Sequence, residues 1–144
     1  MKPVALFLSL VVCAGCSSDD VRLHGTWRSN REATVAEIFR ADAHWATASP
    51  EKRAKLADLF GNLSVTFSNR VITTLINGKV DLIGYRVVSR GSDYAVIHLD
   101  EGLDAGADIR LRFVDGGSAY WIGGGVIMLG MQERFDRVAD QSTK

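Results

Sequence analysis

The stretch that decides the fold is residues 63–88, LSVTFSNRVITTLINGKVDLIGYRVV. Leu63, Val65 and Phe67 alternate with Ser64 and Thr66, the period of two that gives a strand one apolar and one polar face. Ser68-Asn69 turns the chain, and residues 70–76 are β-branched. Asn77-Gly78 then supplies the strongest hairpin signal in the chain, because both residues tolerate the positive φ that a tight primed turn requires. Residues 80–88 return as the partner strand.

The same grammar continues outward. Arg90-Gly91-Ser92 turns into a strand over 94–99. Ile109, Leu111 and Phe113 alternate with Arg110 and Arg112, one dry face and one wet. Asp115-Gly116-Gly117 turns into 119–122, and 131–138 reads as the last strand. Upstream, Gly25-Thr26-Trp27-Arg28-Ser29 reads as the first. Between first and second strands the period changes. Val35, Ile38, Phe39 and Trp45 suit a short amphipathic helix over 33–45. Ser49-Pro50-Glu51 starts another, with a capping hydroxyl, Pro in the first turn and an early acid. Gly61-Asn62 stops it. The expected fold is mainly β. About eight strands form an antiparallel meander that closes into a barrel or a strongly curved sheet, with one or two short helices after the first strand.

Gly25-Thr26-Trp27 is a G-x-W at the opening of the first strand, and the last strand carries Arg134 and Arg137. In these respects the chain resembles the calycin group, the lipocalins and their small bacterial relatives. The resemblance implies a barrel whose closed end is capped by Trp27, with Arg134 or Arg137 packed across its ring. A guanidinium over an indole adds roughly 0.5–2 kcal/mol. An ordinary core position is the other role open to Trp27.

The first eighteen residues have a different character. Lys2 precedes an apolar run over 4–12 broken only by Ser9, then Cys13-Ala14-Gly15-Cys16 and the polar Ser17-Ser18-Asp19-Asp20. That order is a secretory signal ending in small residues. Its end resembles a bacterial lipoprotein box, although Cys13 stands where that box usually has Leu. The resemblance implies cleavage after residue 15, acylation of Cys16, and a lipidated tether over 16–22 before a single lipocalin-like domain over 23–140. Ser17, in place of the Asp that would retain such a protein at the inner membrane, points to the outer membrane, facing the periplasm. Plain secretion is the alternative.

Removing 1–15 leaves 129 residues, enough for one core. The whole chain has 17 basic and 17 acidic residues, and losing Lys2 leaves 16 against 17. No basic block stands out, so no nucleic-acid partner is expected. Both cysteines, Cys13 and Cys16, lie in the leader region, so neither a disulfide nor a Cys-based metal site is expected in the domain.

Motifs for chemistry are sparse. His24, His44 and His98 match no metal-ligand spacing. The acids of 100–108 fall at Asp100, Glu101, Asp104 and Asp108, which is not the alternation of a calcium loop. No nucleophile elbow is present. Glu32, Glu37, Asp58 and Glu133 are the carboxylates open to pairing in space. No cofactor or metal is expected, and the reading leans away from an enzyme. The most unusual segment is 122–131, IGGGVIMLGM, apolar and uncharged. Tyr85, Tyr120, Trp121 and Met128 are its candidate companions in a ligand or partner surface; core positions are the alternative. The leading expectation is a lipid-anchored envelope domain that holds a small apolar ligand or binds an envelope protein. A filled barrel acting through its surface is the second, and an envelope enzyme or enzyme inhibitor the third.

Overall fold

The computed structural model describes residues 19–102, 105–123 and 131–139. Eight antiparallel strands close into a barrel in simple sequence order: β1 (Gly25–Ser29), β2 (Leu63–Ser68), β3 (Val71–Ile76), β4 (Lys79–Arg90), β5 (Tyr94–Leu99), β6 (Asp108–Val114), β7 (Ala119–Gly123) and β8 (Gln132–Arg137). Closure comes from β1 pairing with β8, Trp27 opposite Arg137 and Ser29 opposite Phe135. Backbone bonds beyond that register extend the seam, Asn30 N–H to the Arg134 carbonyl and Val138 N–H to the Thr26 carbonyl, each 2.8 Å. With every strand paired on both sides, neither terminal strand presents an open edge.

The alternation assigns the faces. Val65, Phe67, Ile72, Tyr85, Ile97, Leu111, Phe113, Tyr120 and Phe135 are buried inside with Trp27 and Leu23. Arg110 and Arg112 face out. The β3–β4 turn has Asn77 at φ 50 and Gly78 at φ 81, the positive-φ pair the sequence requires. The twelve-residue β4 carries a register shift between Val87 and Ser89, a bulge that lets so long a strand bend around the barrel.

All three helices lie between β1 and β2: α1 (Arg31–Ala41), α2 (Ala43–Ala46) and α3 (Pro50–Ala57). The single helix expected over 33–45 is divided at Asp42. That residue leaves helical geometry at φ −124, ψ 109, and its carboxylate accepts from the His44 N–H to cap α2. A short side chain that can bond its own neighbouring backbone competes with the helix ladder, and here it wins. Asn30 caps α1 by accepting from Ala33 N–H, and Ser49 caps α3. Arg70, expected at the start of a strand, instead shares a tight turn with Asn69, both at positive φ, and β3 begins at Val71.

The helices carry a small core of their own, Ile38, Leu56 and Phe60, with Val35, Phe39, Trp45 and Met131 against it. α1 is tied to the barrel by the Arg134 N–H to the Thr34 hydroxyl, 3.0 Å, and to the segment after α3 by the Arg31 Nε–H to the Phe60 carbonyl, 2.9 Å. The eight strands, the helices and both apolar clusters all fall within residues 23–137. A chain beginning at Ser17 therefore contains both apolar clusters and both sides of the closing seam.

Candidate functional site

The meander gives the barrel two unlike ends. One, the floor, collects the start of β1, the short β2–β3, β4–β5 and β6–β7 turns, and the end of β8. The other, the mouth, collects the helices, the β3–β4 hairpin tip, the ends of β5 and β7 and the starts of β6 and β8.

The floor is filled and tightly bonded. Trp27 is fully buried and donates its Nε1–H to the Leu23 carbonyl at 2.7 Å. Its ring meets Tyr120 edge-on at 4.8 Å, and Tyr120 stacks on Phe135 at 5.2 Å. The Arg137 guanidinium lies 4.1 Å over the indole and donates to the carbonyls of Arg22 and His24, each 2.5 Å. Gly25, at φ +111, leaves room for it: a Cβ there would stand 3.0 Å from Arg137 Nη1. Arg134 holds a different position, with its side chain pairing with Asp115 and Asp136.

Below Trp27 the chain's entry is fixed by a second arginine. Arg22 donates to the carbonyls of Gly91, Ser92 and Tyr94 at 2.9–3.0 Å, and to both oxygens of Asp20. Its guanidinium sits 4.6 Å over Phe113. The Arg22 bonds hold the nearly buried Asp20 carboxyl below the usual aspartate pKa of 3.8. Tyr85 is buried in the same half, edge-on to Phe67, and its hydroxyl meets no partner among the described residues. Burial, with the charges of Asp19 and Asp20, pushes its pKa up to about 12.

Among the described residues, none fills the mouth half. A cavity of about 180 Å³ opens there, walled by Leu63, Val65, Ile83, Leu99, Ile109 and Ile122, with Phe67, Tyr120 and Phe135 toward its base. Glu133 is the one carboxylic acid among its lining residues, and only 6 % of its surface is exposed. It accepts a short hydrogen bond from the Ser29 hydroxyl, whose oxygen in turn accepts the Gly61 N–H at 2.8 Å. Burial pushes the Glu133 carboxyl above the usual 4.5. A group whose folded pKa is raised binds more protons folded than unfolded. Its stability contribution is therefore full below pH 4.5 and lost as pH rises through the folded value. Glu133→Gln keeps the acceptor for Ser29 and removes the charge. The variant is expected to lose this decline above pH 4.5 and to be more stable than the parent at pH 7. Urea midpoints at about pH 4 and pH 7 check it.

The remaining candidates are scattered. Trp121 lies on the outer face of β7, opposite Arg112 and Arg134, and does not share a surface with the inward Tyr85 and Tyr120. Met128, Cys16 and Asp104 lie outside the described residues. Glu37 pairs with Arg40 and Asp58 with Arg31, far in role from the buried Glu133. His98 bonds Asp108 at 2.6 Å on the outer face, and His24 bonds Asp19 at 2.8 Å. Among the described residues no three of His, Cys, Asp and Glu are placed to hold a metal ion. A second cleft, about 280 Å³ between α1 and β8, has mixed walls that include Glu37, Asp42 and Gln132. On the outside of the β3–β4 hairpin, Leu75, Val80 and Leu82 form an exposed apolar strip, 44 %, 57 % and 65 % accessible.

Sequence reasoning singled out Trp27 and Arg137 but missed Asp20, Arg22 and the lumenal place of Glu133. The signal for Glu133 was parity: it alternates with Phe135 and Arg137, so it shares their face. The same parity sets Arg134 on the opposite face. Compared with known proteins, the chain matches no family model, no curated protein and no solved structure.

Proposed function

We propose that this is a lipid-anchored protein of the bacterial envelope, acylated on Cys16, that holds a small apolar ligand in the mouth half of a lipocalin-like barrel. The observation that carries the reading is the apolar cavity above a closed aromatic floor. Ligand sites are concave and mostly apolar with few polar groups, which is the character of this lumen. Its size is below the roughly 300 Å³ at which drug-sized pockets begin, so the ligand is a short chain rather than a fused ring system. The likeness to the calycin group rests on the meander order and on the pairing of Trp27 with Arg137 across the floor.

The anchor also sets an orientation. Asp20 is bound to the floor through Arg22 and lies four positions after Cys16. Four extended residues span at most about 14 Å. An acyl chain on Cys16 would hold the floor against the membrane and turn the mouth away from it, toward the periplasm. In this arrangement the ligand is exchanged with the aqueous side or with another protein.

The test is isothermal titration calorimetry of octanol into residues 17–144. Saturable binding is expected. Thr74→Phe places a ring among the lining residues near the mouth and is expected to weaken that binding about tenfold or more, a loss of about 1.4 kcal/mol. Absence of any saturable heat in the parent protein overturns the ligand reading. The second reading, a partner-binding barrel, is favoured by one observation, the exposed strip of Leu75, Val80 and Leu82. Contiguous exposed apolar surface marks interaction sites.

A further inference from the structure

We propose that Glu133 and Ser29 form the polar end of the ligand site and that the ligand is an aliphatic amine, its chain along the cavity walls and its ammonium at the Glu133 carboxylate. This rests on the ligand-binding reading above and gives it a substrate class.

Among the described residues the cavity lining contains no Lys, Arg or His. Arg134, next in sequence, is on the other face of β8 and is held by Asp115 and Asp136. The Glu133 carboxyl accepts from the neutral Ser29 hydroxyl, which fixes one oxygen. The Gly61 N–H in turn fixes Ser29. The acid is thus oriented by a hydrogen-bonded chain but given no counter-cation, inside a space wide enough for a guest. A buried charge without a partner is costly, and one met by a hydrogen-bonded cation is not. The protein supplies the anion and its orientation, and the missing half of the pair is what a ligand would bring.

Alternative heads fit worse. A carboxylate-headed chain would set like charge beside the Glu133 carboxylate in a buried site, where repulsion is strong. An alcohol would hydrogen-bond the acid but leave its charge uncompensated. Charge beside the mouth favours the same choice: after β5 the chain carries Asp100 and Glu101, and β6 begins with Asp108. Asp100 is paired with Arg86 there, and Asp108 with His98. Tyr120, the other ionisable group of the lining, is held neutral by burial and adds no charge.

The experiment is calorimetric titration of residues 17–144 with octylamine, octanol and octanoate, which share one chain and differ in the head. The parent protein is expected to bind the amine about tenfold to a hundredfold more tightly than the alcohol, as charge-assisted hydrogen bonds allow, and octanoate least. Glu133→Gln is expected to remove most of the amine's advantage over the alcohol. Equal binding of amine and alcohol by the parent protein overturns the assignment of Glu133 while the cavity keeps its ligand role. Tighter binding of octanoate than of the amine overturns it too. Failure of all three chains to bind removes the ligand reading itself. The ranking by the parent protein stands alone as a test, and urea melts of Glu133→Gln show whether the variant's result is one of binding or of folding.

Discussion

Replacing Trp27 by alanine is expected to cost about 3–5 kcal/mol of stability, the range for deleting a large buried ring. Three losses combine in that figure. The indole is fully buried at the centre of the floor, so its removal leaves a cavity that a closed barrel cannot collapse to fill. Its edge contact with Tyr120 vanishes, and Tyr120 is the ring that also stacks on Phe135. The Leu23 carbonyl loses its donor, and Arg137 loses the face it covers. Domains of this size carry only some 5–15 kcal/mol in all, so the variant should melt at markedly lower urea. Arg137→Ala tests the same floor from above. It should cost less, about 1–2 kcal/mol, because the ring stays and only the cation–π contact and two hydrogen bonds go. A Trp27→Ala loss well under 1 kcal/mol in urea melts would deny the ring its place at the core.

The second large effect is expected at Asp20. Asp20→Ala should cost about 2–3 kcal/mol at neutral pH, because it strips a charged partner from an arginine that also organises the β4–β5 turn. The pH dependence has a definite sign. Arg22 lowers the folded pKa of Asp20, so the unfolded chain binds the proton more readily. The contribution is complete above pH 3.8 and lost as pH falls below it toward the folded value. Asp20→Ala should flatten the acid limb of the stability curve, whereas Glu133→Gln flattens the limb above pH 4.5. Two carboxyls of one domain thus act in opposite directions, one because a cation holds its charge and the other because burial resists it. Urea midpoints of both variants from about pH 3 to pH 8 separate them.

Much of this architecture was legible locally. Asn77-Gly78 declared its hairpin because backbone sterics admit few residues at positive φ, and the structure has both there. The alternation of Leu63, Val65 and Phe67, and of Ile109, Leu111 and Phe113, assigned inner and outer faces from the pleat alone. The break at Asp42 was less legible. Helical periodicity ran through it, and only the capping of α2 by its carboxylate shows why the backbone departs there. Arg22 was not legible at all: its carbonyl partners lie some 70 residues away, on a turn that local pattern cannot bring near.

By itself, then, the sequence determined the strands, their turns and which residues face inward, since each of these follows from the conformational preferences of a few neighbouring residues. Only the tertiary structure decided that β1 closes on β8, that aromatic rings fill the floor while the mouth half stays open, and that Glu133 faces that space with Ser29 as its neighbour. The reason is physical. Whether a lumen is full or hollow depends on the summed volume of side chains from all eight strands at one level of the barrel, a quantity that no single segment of the chain contains.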